Sequence, residues 1–97
     1  MSLYRINPKR DQIEAEVIGT LEAYGCQCWR LSGRGIPDLI VAARGRWYLI
    51  ECKASGRKLT RDQQSFHAQA RAPIAILRSA EQAADWVKML RKKKPGT

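Results

Sequence analysis

Ninety-seven residues suffice for one domain around one modest core and leave no room for a second. Eighteen Lys and Arg against nine Asp and Glu give a formal charge of +9, which points to a polyanionic partner, nucleic acid above all, and away from a cationic one. No apolar run approaches the ~20 residues of a membrane-spanning helix, and no signal-peptide core follows Met1, so neither a membrane role nor secretion is expected.

Residues 1–8 are read as a frayed leader, whose "MSL" matches an expression leader. "RDQIEAEVIGTLEAYG" (10–25) predicts an amphipathic helix, because Ile13, Val17, Leu21 and Tyr24 recur at i, i+4, i+8 and i+11. Gly25 supplies its stop, and Pro8 and Asp11 suit its start. "CQCWRL" (26–31) predicts a short strand and "SGRGIP" (32–37) a glycine-bearing loop. "DLIVAA" (38–43) and "RWYLIECKA" (46–54) predict two strands joined by the Arg44–Gly45 turn as a hairpin.

"SGRK" (55–58) is a polar, basic loop. Thr60 can cap a helix over 61–71, with Asp62 in its positive first turn. "PIAILR" (73–78) predicts a fourth strand opened by a proline, where no ladder donor is needed. Ser79 caps a last helix over 80–92, whose Ala83, Trp86, Val87 and Leu90 form an apolar stripe, and a frayed tail covers 93–97. The order α-β-β-β-α-β-α belongs to the α/β class: a mixed sheet of about four strands flanked by helices. Cys26, Cys28 and Cys52 fall in strand-like segments; with a lone His67 they do not match zinc spacing, so reduced thiols in a cytosolic protein are expected.

The third strand carries the chemistry. Alternation sets Trp47, Leu49, Glu51 and Lys53 on one face and Tyr48, Ile50 and Cys52 on the other. Glu51 and Lys53 alone could be a structural ion pair. Asp38 breaks that reading, because hairpin pairing through Arg44–Gly45 sets it near Glu51. Two facing carboxylates repel unless a cation or a proton lies between them. Hard oxygen donors of this kind suit Mg²⁺, with Mn²⁺ as substitute, and the Cys52 backbone carbonyl could add another oxygen. With Lys53 beside the site to orient water or neutralise charge, the parts match metal-assisted phosphodiester hydrolysis.

"GIPDLI", "IECK" and "LTRDQQ" together resemble the VRR-NUC (virus-type replication-repair nuclease) branch of the PD-(D/E)XK nucleases, over roughly residues 11 to 80. The resemblance implies a restriction-endonuclease-like PD-(D/E)XK core and no small-molecule cofactor. It makes Asp38 and Glu51 metal-binding acids and Lys53 the catalytic lysine. It matches Gln63 to the glutamine on the helix after the sheet, and Glu14 to an acid on the first helix that would reach the metal or its water shell. Short, stand-alone members resemble Holliday-junction resolvases working as homodimers on branched DNA, which implies a bacterial cytoplasm or a phage-encoded origin.

Arg30, Arg34, Arg44, Arg46, Arg57, Lys58 and Arg61 cluster around these motifs in sequence and are candidates for DNA phosphate contacts. Trp29, Trp47 and Trp86 read as core or dimer-contact residues rather than base-stacking platforms. Two rival functions remain open: a less selective nicking or restriction-type nuclease, and a non-catalytic nucleic-acid-binding module whose acids form structural ion pairs.

Overall fold

A computed structural model describes residues 8–92, and of Pro8–Asp11 it describes the backbone alone. Helix α1 (Pro8–Ala23) is followed by strands β1 (Gln27–Arg30), β2 (Leu39–Ala43) and β3 (Arg46–Cys52). Helix α2 (Arg61–Gln69), strand β4 (Ile74–Leu77) and helix α3 (Ala80–Arg91) complete the domain. Each expected element is present, in the expected order. The strands are one or two residues shorter than expected at one or both ends: Asp38 precedes β2, Lys53 follows β3 and Pro73 precedes β4. The 93–97 tail and the 1–7 part of the leader lie outside the described residues, while Pro8 opens α1.

The sheet runs β1-β2-β3-β4. β1, β2 and β3 form an antiparallel meander, and β4 pairs parallel with β3 after the α2 crossover. Parallel pairing requires such a crossover, because a tight turn can only reverse the chain. Leu39, Val41 and Ala43 lie opposite Ile50, Tyr48 and Arg46. Their face is covered by α1 and α3, which bring Val17, Leu21, Ala83, Val87 and Leu90 into the buried cluster. Each aliphatic side chain taken fully out of water there contributes about 1.5–3 kcal/mol. Trp86 of α3 meets Tyr48 edge-to-face at 5.2 Å between ring centroids, tying that helix to the middle of β3.

The helix ends follow their sequence signals. Gly25, at φ +88°, ends the turn after α1 in the left-handed conformation. At α2, the Thr60 hydroxyl accepts from the Gln63 backbone N–H at 3.2 Å, and Gln63 Oε1 accepts from the Thr60 N–H at 2.8 Å, a complete capping box. The Ser79 hydroxyl accepts from the Gln82 N–H at 3.1 Å.

One loop glycine carries a packing constraint. Gly35 has φ +78°, and a Cβ there would lie 2.7 Å from the Asp62 carbonyl oxygen in the first turn of α2. The loop before Asp38 and the helix that carries Gln63 are therefore in backbone contact. Gly35→Ala should cost about 1–3 kcal/mol through strain and displaced backbone. A thermal melt followed by circular dichroism should show Tm lower by at least ~5 °C for a chain of this size.

Candidate active site

The functional side chains gather at one end of the β2–β3 hairpin. The ladder pairs Leu39 with Ile50, so the next step outward sets Asp38 opposite Glu51. Both acids are buried: Asp38 retains 4% of its surface and Glu51 none. Ionised carboxylates tolerate such burial only when donors or cations meet them. Asp38 Oδ2 accepts the Cys52 backbone N–H at 2.8 Å, which locks the end of β2 to the end of β3. Glu51 is met from above by α2: Gln63 Nε2 lies 3.4 Å from Oε2, and His67 Nε2 lies 3.2 Å from Oε1.

Gln63 is the centre of the arrangement. Its Oε1 accepts from Lys53 Nζ at 2.9 Å and from the Thr60 N–H at 2.8 Å. An ammonium and a backbone N–H can only donate, so the amide orientation is fixed and its NH₂ must face Glu51. One side chain thus completes a helix cap, holds the lysine and touches the buried acid. Lys53 is held in turn by the sheet, since its backbone N–H donates to the Leu77 carbonyl at 3.1 Å. Arg78 Nη1 donates to the carbonyls of Ala54 and Arg57, each at 2.8 Å, and pins the loop that follows Lys53.

Asp38, Glu51, Lys53, Gln63 and the Cys52 backbone are therefore brought together as the sequence motifs imply. Glu14 has a defined partner: its carboxylate accepts from Arg30 Nε at 2.7 Å. Arg30 lies opposite Leu39, one residue from Asp38, so this ion pair stands at the same end of the sheet as the acids. The seven candidate DNA-contact cations are all exposed, but they do not form one group. Arg34 lies 3.6 Å from Asp62 at the α2 end, and Arg57, Lys58 and Arg61 flank the loop between β3 and α2. Arg44 and Arg46 sit at the hairpin turn, at the other end of β2 and β3 from Asp38 and Glu51.

His67 and Arg78 are participants that the sequence reading did not select. For His67 the signal was its place one turn after Gln63, i to i+4 on the same helix face. Arg78 had no local signal, since the carbonyls it binds are 21 and 24 residues away.

An independent observation agrees with this geometry. A solved structure described as a VRR-NUC domain superposes with a TM-score of 0.71 and 27% sequence identity, over 84% of this chain and 97% of that chain. The chain has the VRR-NUC nuclease fold. No protein-family model matches the sequence, and no curated protein is significantly similar to it. The VRR-NUC likeness therefore rests on three-dimensional arrangement together with the short motifs that build the acid-lined sheet end.

The Cys26 and Cys28 thiols take no part in that arrangement as nucleophiles. Cys26 and Cys28 are free thiols, Cys26 buried and Cys28 half-buried, and Cys52 is buried. Burial pushes the Cys26 thiol up, opposed by Arg91, and burial, then Glu22 and Cys26, push Cys28 up to about 11. A neutral thiol is a poor nucleophile. The native state keeps the Cys28 proton where the unfolded chain has lost it. Its contribution to stability is therefore full below the ordinary value of 9.0 and is lost as pH rises through about 11. Urea midpoints measured from pH 7 to 11 should fall over that upper range, and Cys28→Ala should flatten most of the decline.

Proposed function

We propose that this chain is a Mg²⁺-dependent, structure-selective DNA endonuclease that hydrolyses phosphodiester bonds and acts as a homodimer on branched DNA such as a Holliday junction. The observation that carries the reading is the Gln63 amide, which joins a cationic lysine to a fully buried carboxylate beside a second buried acid. A structural ion pair would require only the first two charges. A hydrolytic site requires the second acid as well.

The donor set fits the ion. Asp38, Glu51 and the Cys52 backbone carbonyl would hold Mg²⁺, or Mn²⁺ in its place, and they offer the hard oxygen atoms such ions take. The engaged carboxylate oxygens retain lone pairs, because each carboxylate has about four acceptor sites. Among the described residues no three His, Cys, Asp or Glu side chains group as metal ligands. Remaining positions would fall to carbonyl, water and phosphate oxygens, as is usual for Mg²⁺. When bound, the ion supplies Lewis-acid polarisation of a phosphoryl oxygen and acidifies water.

The chain's own residues supply position. Lys53 Nζ, held by Gln63, has donors left to orient an attacking water or to meet negative charge as it develops on the phosphate. The α2 contacts fix Glu51 before substrate arrives, so no reorganisation is needed at the reacting centre. Glu14 would act toward the water shell from α1, its carboxylate steadied by Arg30. Exposed Arg34, Arg57, Lys58 and Arg61 would hold phosphates on either side of the scissile one. Two-fold symmetry of a four-way junction suits a dimer with two such sites, cutting two strands of like polarity.

The direct test is a cleavage panel of four-way, nicked, single-stranded and linear DNA with Mg²⁺. The four-way junction should be cut fastest, and Glu51→Gln should abolish all cutting. Lys53→Ala should lower the turnover rate at least ~100-fold while weakening junction affinity only modestly. Equal cutting of linear duplex would replace junction resolution with a less selective nuclease. In a separate melt without DNA, millimolar Mg²⁺ should raise Tm and Asp38→Ala should remove that gain. A metal-insensitive melt with normal DNA binding would favour a non-catalytic module.

A further inference from the structure

The two faces of the sheet are unequally covered. α1 and α3 pack on the face of Val41, Tyr48 and Ile50, whereas α2 lies on the other, over Glu51. Cross-strand register sets Trp29, Ile40, Leu49 and Ile74 in one row across that second face. Trp47 and Ala42 form the next row toward the hairpin turn. Trp47 precedes Glu51 by four residues, about 13 Å along the strand, so the Trp47 end lies well away from the helix contacts.

This face is apolar and open. Trp29 and Trp47 are 56% and 57% exposed, and Ile40, Ala42, Leu49 and Ile74 are half-buried. Two tryptophans at that exposure leave on the order of 250 Å² bare. With the aliphatic rows, the patch reaches several hundred Å², the range that marks a binding surface rather than scattered surface residues. It would form the apolar centre of a standard interface, to which each partner contributes ~800 Å².

We propose that a second copy of this chain docks here, sheet face against sheet face about a two-fold axis, with Trp29 and Trp47 at the centre. The inference deepens the homodimer part of the function proposed above, and rests on it. Charge selects the occupant. A nucleic-acid platform interleaves its aromatic residues with cations that meet phosphate, yet no Lys or Arg occupies this face's positions on β1, β2 or β3. Arg30 and Arg46 fall on the opposite phase of the alternation, and Arg30 is bound to Glu14 of α1. Because the patch carries no cation, two chains of +9 can meet there without opposing like charges at the contact. The surface is also its own complement, as a two-fold interface requires.

Sedimentation velocity of the full chain across ~1–100 µM, the range in which moderate interfaces dissociate, tests the proposal together with tryptophan emission on dilution. The wild type should sediment as a dimer, and its emission should shift to the red as the dimer dissociates. Trp47→Glu and Trp29→Glu should each raise the dimer dissociation constant at least ~30-fold, as central aromatic anchors do; circular dichroism checks that each variant is folded. Trp47→Phe should retain the dimer. Dilution of the wild type gives a readout even if a glutamate variant fails to fold. A wild-type monomer at the highest concentration, or a dimer indifferent to both glutamates, would overturn the inference. Quenching of both exposed tryptophans by DNA bound to a monomer would instead assign the face to nucleic acid. Cleavage measured in parallel separates the two claims: a monomeric nuclease removes only the surface, and an inert dimer removes only the nuclease.

Discussion

A glutamate with no surface in contact with solvent must be met by donors wherever it is placed, and that requirement organises this molecule. Glu51 lies at the end of β3, on the face that α1 and α3 do not cover. Its partners come from α2, where Gln63 and His67 stand one turn apart and engage different oxygens. The helix must therefore cross the sheet at that point. A crossover connection also allows β4 to pair parallel with β3. Local capping reinforces the same placement, because the Thr60 box fixes Gln63 at the start of the helix.

The arrangement separates the work of the two sheet faces. Hydrophobic burial of Leu39, Val41 and Ile50 against α1 and α3 holds the sheet together without involving the acids. The polar contacts on the other side can then be specified by geometry, since the domain does not depend on them for its core. Rigid strands set the carboxylates, and a capped helix sets the amide and imidazole. The loop between them is held by Arg78 rather than left to the flexibility of its own backbone.

Much of this was legible in the sequence because the signals were local. Thr60, three residues before Gln63, is a capping box in plain text, and Gly25 and Ser79 mark helix ends just as directly. The Arg44–Gly45 turn sets the hairpin register, and that register alone sets Asp38 opposite Glu51. What escaped were contacts between elements distant in sequence. Arg78 reaches back to Ala54 and Arg57, and Arg30 reaches α1. Strand alternation could say that Trp47 shares a face with Glu51, but not that Trp29 joins it across the sheet or that both are left exposed. Closeness in sequence also grouped Arg44 and Arg46 with the cations beside α2, although the hairpin turn already put them at its far end.

The contacts that build the acid site have a further property. Cys52 to Asp38 spans 14 residues, Glu51 to Gln63 spans 12, and Lys53 to Gln63 spans 10. With His67 and the Gly35 approach to Asp62, nearly the whole constellation is written in one continuous stretch from Gly35 to His67. From beyond it come the ties from Leu77 and Arg78, and Glu14 with its partner Arg30. Such a stretch behaves as a cassette. Insertions before Gly35 or after Arg78 leave its internal spacing untouched, so α3 can change length or acquire neighbours while the geometry of the strand acids persists. A single residue added between Asp38 and Glu51 would shift the register and turn one acid to the opposite face.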